Sequence, residues 1–314
     1  MITRSDLAYP GFVAVQIATI FANTYAGRVL ELQSPQIMTT VDATTPIVKY
    51  PFLGAGPHMK RFRDRMDDQG VAPYMITVED EEWYTNMRIS AKALEDDAAG
   101  LYYIRARELG QAAAKFDDEM AFGLLDTGFT TVTTQDNQTF FSASHQSGAS
   151  GVQSNLTSAP LSPKALQDAF GIMGSWKDDT GRPYGTSPDT LIVGPLLAMR
   201  AREIIESPIV VVRTGDGAAG SGATGSTPFK NVLVGQFNLI VDPWISGYHW
   251  FLADSKEVVK PIIKQNRTDV PLQTWDDTMD PAARRKREYN FTALMRAGYA
   301  FGPWQTAYGS NASA

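Results

Sequence analysis

Two stretches of the 314-residue chain carry residue types at spacings able to do chemistry. The first is Gly215-Asp216-Gly217-Ala218-Ala219-Gly220, which follows the β-branched run "IVVV" (209–212) and fits G-x-G-x-x-G. In a dinucleotide site the third glycine opens a helix whose N-terminus faces the pyrophosphate. Here the next residues read "SGATGSTPF", two further glycines and a proline where helix formers should stand. Asp242 falls near the distance of a ribose-binding acid, but the βαβ frame around it is missing. No Gly-Lys-Ser/Thr supplies a P-loop either. The stretch reads as a Gly-, Ala-, Ser- and Thr-rich loop, and no cofactor is expected.

The second stretch places Asp136, Ser142, Ser144 and His145 within ten residues, the acid, nucleophile and base of a hydrolytic triad. No G-x-S-x-G elbow accompanies them, so a polar loop is the simpler reading. His58, His145 and His249 are the only histidines and none stands in a metal-ligand spacing. The chain has no cysteine, which excludes disulfides, thiolate metal sites and thiol nucleophiles. No catalytic residue and no bound metal follow from this inventory; the chain reads as a non-enzyme.

The elements around these stretches are better defined. Apolar residues make up 43%, charged residues 20%, and the net charge is −6. That is an ordinary soluble composition, and its sign is opposite to that of a whole surface that grips nucleic acid through phosphate neutralisation. No apolar run approaches the ~20 residues of a membrane span. "FVAVQIATIFA" (12–22) has the length of a signal-peptide core, yet Gln16 and Thr19 interrupt it and Asp6 offsets Arg4. It reads instead as a short amphipathic helix that packs on a partner, followed by an extended arm to residue 47. Residues 48–90 read as an outgoing strand ("IVKYPF"), a Gly-Pro break, a charged tip and a returning strand ("EEWYTNMRIS"). In the tip, Lys60, Arg61, Arg63 and Arg65 alternate with Asp64, Asp67 and Asp68. Long insertions of this kind are usually functional.

Within 94–128, Leu101, Ile104, Leu109, Ala112, Phe116, Met120 and Leu124 recur close to helical spacing. Asp96 and Asp97 suit the start and Gly128 the stop. A helix of about 28 residues, roughly 42 Å long, is predicted. From about 160 to 255 the texture becomes a compact α+β module. It holds a helix capped by Ser162 with Pro163 at its first position, the strand "DTLIVG", the helix "PLLAMRAREIIESP", the strand "IVVVRT", and two strands around a turn in "VLVGQFNLIVDPWI". "EVVKPIIKQNRT" and "KREYNFTALMRAGYAFGPWQTAYG" read as long closing strands. Between them Arg284-Arg285-Lys286-Arg287 faces Asp276, Asp277 and Asp280, which favours a solvated turn or a subunit salt bridge over nucleic-acid contact.

This order of elements resembles the Hong Kong 97-type capsid fold of tailed bacteriophages, and in particular the Mu-like major head subunit (gpT-type) family. The segments that carry the likeness are "ISAKALEDD" (89–97), "AFGLLDTGF" (121–129), "DNQTFFSASH" (136–145), "SPDTLIVGPLLAMRAREIIES" (187–207), "VKPIIKQNR" (259–267) and "RAGYAFGPWQTAYG" (296–309). The arm before residue 45 matches poorly, and the glycine loop is the second departure. The resemblance implies an α+β chain with an N-arm (1–47), an E-loop hairpin (48–90), a P domain with a long spine helix (91–158), an A domain (159–255) and P-domain return strands (256–314). It implies a major capsid protein that assembles with itself into pentamers and hexamers of an icosahedral shell. Such a shell forms in the host bacterial cytoplasm and encloses double-stranded DNA without sequence-specific binding. A separate scaffolding protein, a portal protein and a decoration protein are the implied partners, and no membrane is. The E-loop would reach over a neighbour, pairing Lys60, Arg61, Arg63, Asp64, Arg65, Asp67 and Asp68 across subunits, with Phe52, Phe62 and Trp83 as apolar anchors. Some shells of this fold are locked by Lys–Asn isopeptide bonds; Lys49, Lys60, Asn266 and Asn290 are formally available, without surroundings that support the reaction. An encapsulin-like compartment shares the fold, and a nucleotide-binding oxidoreductase is the alternative of another class. A cargo-peptide partner would mark the one and saturable NAD binding the other.

Overall fold

The computed structural model describes residues 10–52, 74–90, 92, 100–131, 134, 136–212, 227–270, 272–275, 285 and 288–313. Within them lie two five-stranded sheets with a long helix running from one to the other, and three two-stranded ribbons, one of which pairs β5 (His145–Gln146) with β6 (Val152–Gln153). The first sheet is built on the fourteen-residue strand β15 (Glu288–Phe301). Along one side β15 pairs antiparallel with β4 (Glu81–Ser90). Along the other it pairs first with β14 (Leu272–Trp275) and then with β13 (Ile262–Thr268), and β1 (Met38–Asp42) closes the edge parallel to β13. Burial alternates residue by residue along β15 from Glu288 to Ala297, as a strand covered on one face requires. Tyr289, Phe291, Ala293, Met295 and Ala297 face inward.

Two helices cover that face. α1 (Pro10–Val29) buries Ile17 and Phe21, and α2 (Leu101–Thr127) buries Ala106 and Leu109 against the same strands. The crossing is tight at Gly110, where a Cβ would sit 3.0 Å from the Phe21 carbonyl oxygen and 3.2 Å from Thr24 Cβ. The 27 residues of α2 span about 40 Å. Its far end, with Ala121, Phe122 and Leu125, belongs to a different core, that of the second sheet.

The second sheet runs β11–β8–β12–β16–β7, formed by Asn238–Val241, Thr190–Val193, Trp250–Ala253, Ala307–Ser310 and Leu156–Thr157. β8, β12 and β16 are buried at every position, the signature of short central strands. α3 (Pro163–Ser175) packs on this sheet, its first turn capped by Ser162 Oγ accepting from Ala165 N at 3.2 Å. α4 (Ala198–Glu206) carries the chain out of β8, and a ribbon of β9 (Ile209–Val212) and β10 (Thr227–Lys230) precedes β11. Among the described residues no helix is long and apolar enough to cross a membrane.

Several sequence expectations need correction. α1 is twenty residues long and packs on α2 of its own chain, because Ile17 and Phe21 find Ala106 and Leu109 there. The returning strand of the hairpin is β3 (Tyr74–Glu79), paired with β2 (Ile47–Phe52). "EEWYTNMRIS" is instead β4, in the first sheet. The helix reads from Leu101 with Gly100 at φ 67 before it, and Asp96 and Asp97 lie outside the described residues. Gly128 does follow the last turn, but with an ordinary right-handed φ of −62. "VLVG" (232–235) is a turn, since only β11 finds a partner strand in that segment. Residues 254–261 are irregular and β13 begins at Ile262. The closing strand breaks at Gly302-Pro303, after which β16 joins the second sheet.

Candidate assembly site

The β2–β3 hairpin is fixed to the first sheet at its root. Asp80, between β3 and β4, has a fully buried side chain and meets two arginines from separate strands. Arg267 Nη1 of β13 lies 3.2 Å from Asp80 Oδ2, and Arg296 Nε of β15 lies 3.1 Å from the same oxygen as a charge contact. Asp80 N donates to the Pro46 carbonyl at 3.0 Å, closing the base of the hairpin. Gln265, fully buried, donates Nε2 to the carbonyls of Thr45 and Pro46 at 3.4 and 3.3 Å, and accepts from Tyr50 Oη at 3.4 Å. Gly298 lets the Glu79 carbonyl approach so closely that a Cβ would stand 2.3 Å from that oxygen. Charge, hydrogen bonds and a close approach therefore set the direction in which the hairpin leaves the body.

The residues singled out for assembly divide between hairpin and sheet. Phe52 is the last residue of β2, opposite Tyr74. Lys60, Arg61, Phe62, Arg63, Asp64, Arg65, Asp67 and Asp68 lie outside the described residues. Trp83 sits in β4, half-buried, its ring 4.9 Å from Phe116 of α2 and its Nε1 donating to the Ala297 carbonyl at 3.1 Å. Within this chain it joins the long helix to the sheet. Lys49 is exposed on β2. Asn266 donates to Asp42 and Asp269, and Asn290 accepts from Arg88 Nε at 3.1 Å.

The long helix is tied to both sheets through its acidic side chains. In the first, Lys264 Nζ lies 2.7 Å from both oxygens of Asp117, and Tyr299 Oη donates to Asp117 Oδ1 at 2.6 Å. Burial first, and then the Asp117 charge, push the Tyr299 phenol far above its ordinary range, so it stays a neutral donor. At the second sheet, His249 Nδ1 lies 2.7 Å from Asp126 Oδ1, with its ring 5.0 Å from Phe129. No sequence signal marks these pairs, because their members are 147, 182 and 123 residues apart.

The Asp136–His145 pair does form, with Asp136 Oδ2 2.7 Å from Nδ1. The other ring nitrogen faces the Phe140 carbonyl at 3.2 Å, and the imidazole, fully buried, stacks on Trp304 at 4.4 Å. Ser142 Oγ hydrogen-bonds Gln138 instead, and so does Ser144 Oγ, at 3.2 and 3.5 Å. Both histidine nitrogens are therefore committed to fixing a loop. Burial would raise the Asp136 carboxyl, but hydrogen bonds from Thr134 and His145, with the imidazole charge, together hold it below its usual range.

The glycine motif lies in 213–226, outside the described residues. Its flanking strands pair antiparallel, Val212 opposite Thr227, as two arms of one ribbon. A dinucleotide fingerprint needs a strand, a turn and a helix leading to a parallel strand, and the βαβ frame does not arise there. Asp242 serves another role: it is buried, and its Oδ1 accepts from Trp244 N at 2.8 Å. Burial, with the nearby Asp118 charge adding, pushes its carboxyl up to about 6. A carboxyl raised in the folded state contributes fully below its unfolded value of about 3.9 and loses that contribution as pH rises through about 6. Asp242→Asn keeps the acceptor and removes the charge. Its melting temperature is therefore expected to exceed the wild type's by roughly 2–4 °C near neutral pH, and to match it at about pH 4. Equal melting at both values would show that Asp242 carries no such strain.

Comparison with known proteins places these features. The profile of the Mu-like prophage major head subunit gpT family matches residues 12–163, 156–245 and 237–313. The Mu-like prophage FluMu major head subunit of Haemophilus influenzae is 32% identical over 117 residues, 37% of this chain and 38% of that one. The major capsid protein of Escherichia phage Mu is 30% identical over 275 residues, 88% of this chain and 65% of that one. The chain thus spans less than two thirds of the length of either relative. Among solved structures, the bacteriophage JBD30 procapsid chain aligns with a TM-score of 0.53 at 21% identity, covering 96% of this chain and 75% of that one. A chain of Microbacterium phage Oxtober96 aligns with a TM-score of 0.51 at 12% identity, covering 90% of each. At these identities the structures share the fold.

Proposed function

The chain belongs to the Mu-like prophage major head subunit gpT family, and from that premise we propose that it is the major capsid protein of a tailed phage or prophage. Its fold is the Hong Kong 97-type capsid fold, shared with the JBD30 procapsid chain over nearly its whole length. Many copies form pentamers and hexamers that close into an icosahedral shell around double-stranded DNA. The role is structural, not enzymatic. The observation that carries it is the family match, which runs through hairpin, long helix, second sheet and closing strands alike.

Each element then has a mechanical use. The hairpin reaches over a neighbour, and Asp80, Gln265 and Gly298 aim it. The charged residues 60–68 pair across subunits; single exposed pairs contribute about 0–1 kcal/mol, but repetition over a shell makes them set geometry. The net charge of −6 keeps packaged DNA from adhering to the wall. A scaffolding protein shapes the first shell in the bacterial cytoplasm, and a portal protein occupies one vertex. Negative-stain electron microscopy and light scattering of the purified chain, alone and co-expressed with its scaffold, test this reading. Closed shells, or rings of five and six copies, are the expected result. A chain that stays monomeric in both preparations overturns it.

A further inference from the structure

The chain is clamped where it passes from α1 to β1. Asp118 of α2 accepts from Ser34 N at 2.8 Å and from Gln33 N at 3.4 Å, so one carboxylate caps the 3-10 turn Ser34–Gln36. The turn also touches the second sheet, where Asn238 Nδ2 of β11 donates to Gln36 Oε1. Lys260 Nζ donates to the Pro35 carbonyl. Gln33, Asn238 and Val241 line one cavity of about 560 Å³. Asp242, the residue after Val241, therefore stands beside the same turn.

Two carboxylates share this seat. Asp242 is 5% exposed, and its Oδ1 accepts from Trp244 N in its own loop. The ion pairs of the described residues leave out both Asp118 and Asp242. A buried carboxylate beside a second one, with no paired cation, must take up a proton or repel its neighbour. The other charged groups around the cavity do not change this. Arg202 and Glu206 of α4 both line it and are of opposite sign. Arg200 and Glu203 of α4 hold one another at 2.8 Å, and His249, on the Asp242 loop, is held by Asp126 at 2.7 Å. Asp118 is left as the charge that bears on Asp242.

The seat is also marginal. Ser34 is fully buried, and its hydroxyl has no hydrogen-bond partner among the described residues. That cost is borne only while the turn is in place.

We propose that the Ser34–Gln36 turn is a proton-operated latch: a protonated Asp242 lets the turn stay seated between α2 and β11, and an ionised Asp242 beside Asp118 lifts it. Seated, the turn ties the long helix to the edge of the second sheet; lifted, it frees that edge. The latch belongs to the single chain and does not depend on the shell. With the turn seated, burial pushes the Asp242 carboxyl up to about 6; lifting the turn admits water and returns it toward an ordinary value of about 3.9. The seated form binds the proton more tightly, so it is favoured at low pH and gives way as pH rises through about 6. Linkage between those two values makes opening about tenfold more frequent at about pH 7.5 than at about pH 5.

Hydrogen exchange of the full chain, read by mass spectrometry and corrected for the intrinsic pH dependence of exchange, tests the latch. Peptides covering residues 30–37 should lose about tenfold in protection between about pH 5 and about pH 7.5, while those of β8 keep theirs. Asp242→Asn keeps the acceptor and removes the ionisation, and should be equally protected at both values. Asp118→Asn removes the repelling charge, and should move the transition to lower pH. Constant protection of 30–37 in the wild type, an undiminished pH response in Asp242→Asn, or an unmoved transition in Asp118→Asn would each overturn the latch. The first of these outcomes needs no variant, so it decides even where a substitution disturbs folding.

Discussion

Asp80→Ala is expected to lower the stability of the folded chain by about 3 kcal/mol and to loosen the β2–β3 hairpin before anything else. The size follows from what remains. Removing one member of a buried charge cluster costs ~3–5 kcal/mol because the partner charges stay behind without compensation. Here the partners are two, Arg267 and Arg296, but they are 24% and 32% exposed and retain water, which sets the effect at the low end. Glu82, 3.4 Å from Arg296, compensates one of them in part. Asp80→Asn keeps acceptor oxygen and shape, and should fall between the alanine variant and wild type. Chemical denaturation checks the magnitude through its midpoint. Hydrogen exchange checks the location: amides of β2 and β3 should lose protection, while those of β8 and β12 keep theirs below global unfolding. Unchanged hairpin exchange in a destabilised variant would show that Asp80 supports the sheet and not the hairpin's direction. If the hairpin is the arm that reaches a neighbour, the alanine variant should also assemble into fewer closed particles at equal concentration.

That cluster shows why part of the architecture is readable in the sequence and part is not. The long helix declares itself through Leu109, Phe116 and their spaced neighbours, and α3 through Ser162 and Pro163, because caps and periodicity are local chemistry. The buried run "TLIV" marks β8 for the same reason. Asp80 gives no such signal: its partners lie 187 and 216 positions further on, and only the folded sheet brings them together. The failures share a cause. "VLVG" and "EVV" have the β-branched composition of strands, but strand preference expresses packing against a partner. Val232 and Val258, 65% and 88% exposed, have no partner strand. The Asp136–His145 pair was visible as residues, whereas its role depended on Trp304 and the Phe140 carbonyl. The family resemblance offers Trp83 as an anchor between subunits; the packing of its ring on Phe116 is legible only in three dimensions.

Phe141 governs the other large effect, at the joint between the long helix and the second sheet. The ring is buried, with Phe129, Phe140 and Phe251 at 4.8, 4.9 and 5.2 Å. It is also wedged between two glycines. A Cβ on Gly128, just beyond the end of α2, would stand 3.0 Å from one edge of the ring, and a Cβ on Gly309 of β16 would stand 2.7 Å from the other. Phe141→Ala should therefore cost about 3–5 kcal/mol, the range for removing a large aromatic from a core. Gly309→Ala should cost about 1–3 kcal/mol for the opposite reason, since its methyl must displace a ring held on every side. The pair together tests the geometry. With the ring gone, the Gly309→Ala methyl occupies the vacated space, so the double variant should be more stable than the summed losses predict by about 0.5–3 kcal/mol. Simple additivity would mean that β16 shifts to admit the methyl and that the wedge is not rigid. A favourable coupling would establish that the end of the helix and the closing strand are held through one ring. Subunit shape then depends on it, and Phe141→Ala should impair particle closure even at temperatures where the monomer remains folded.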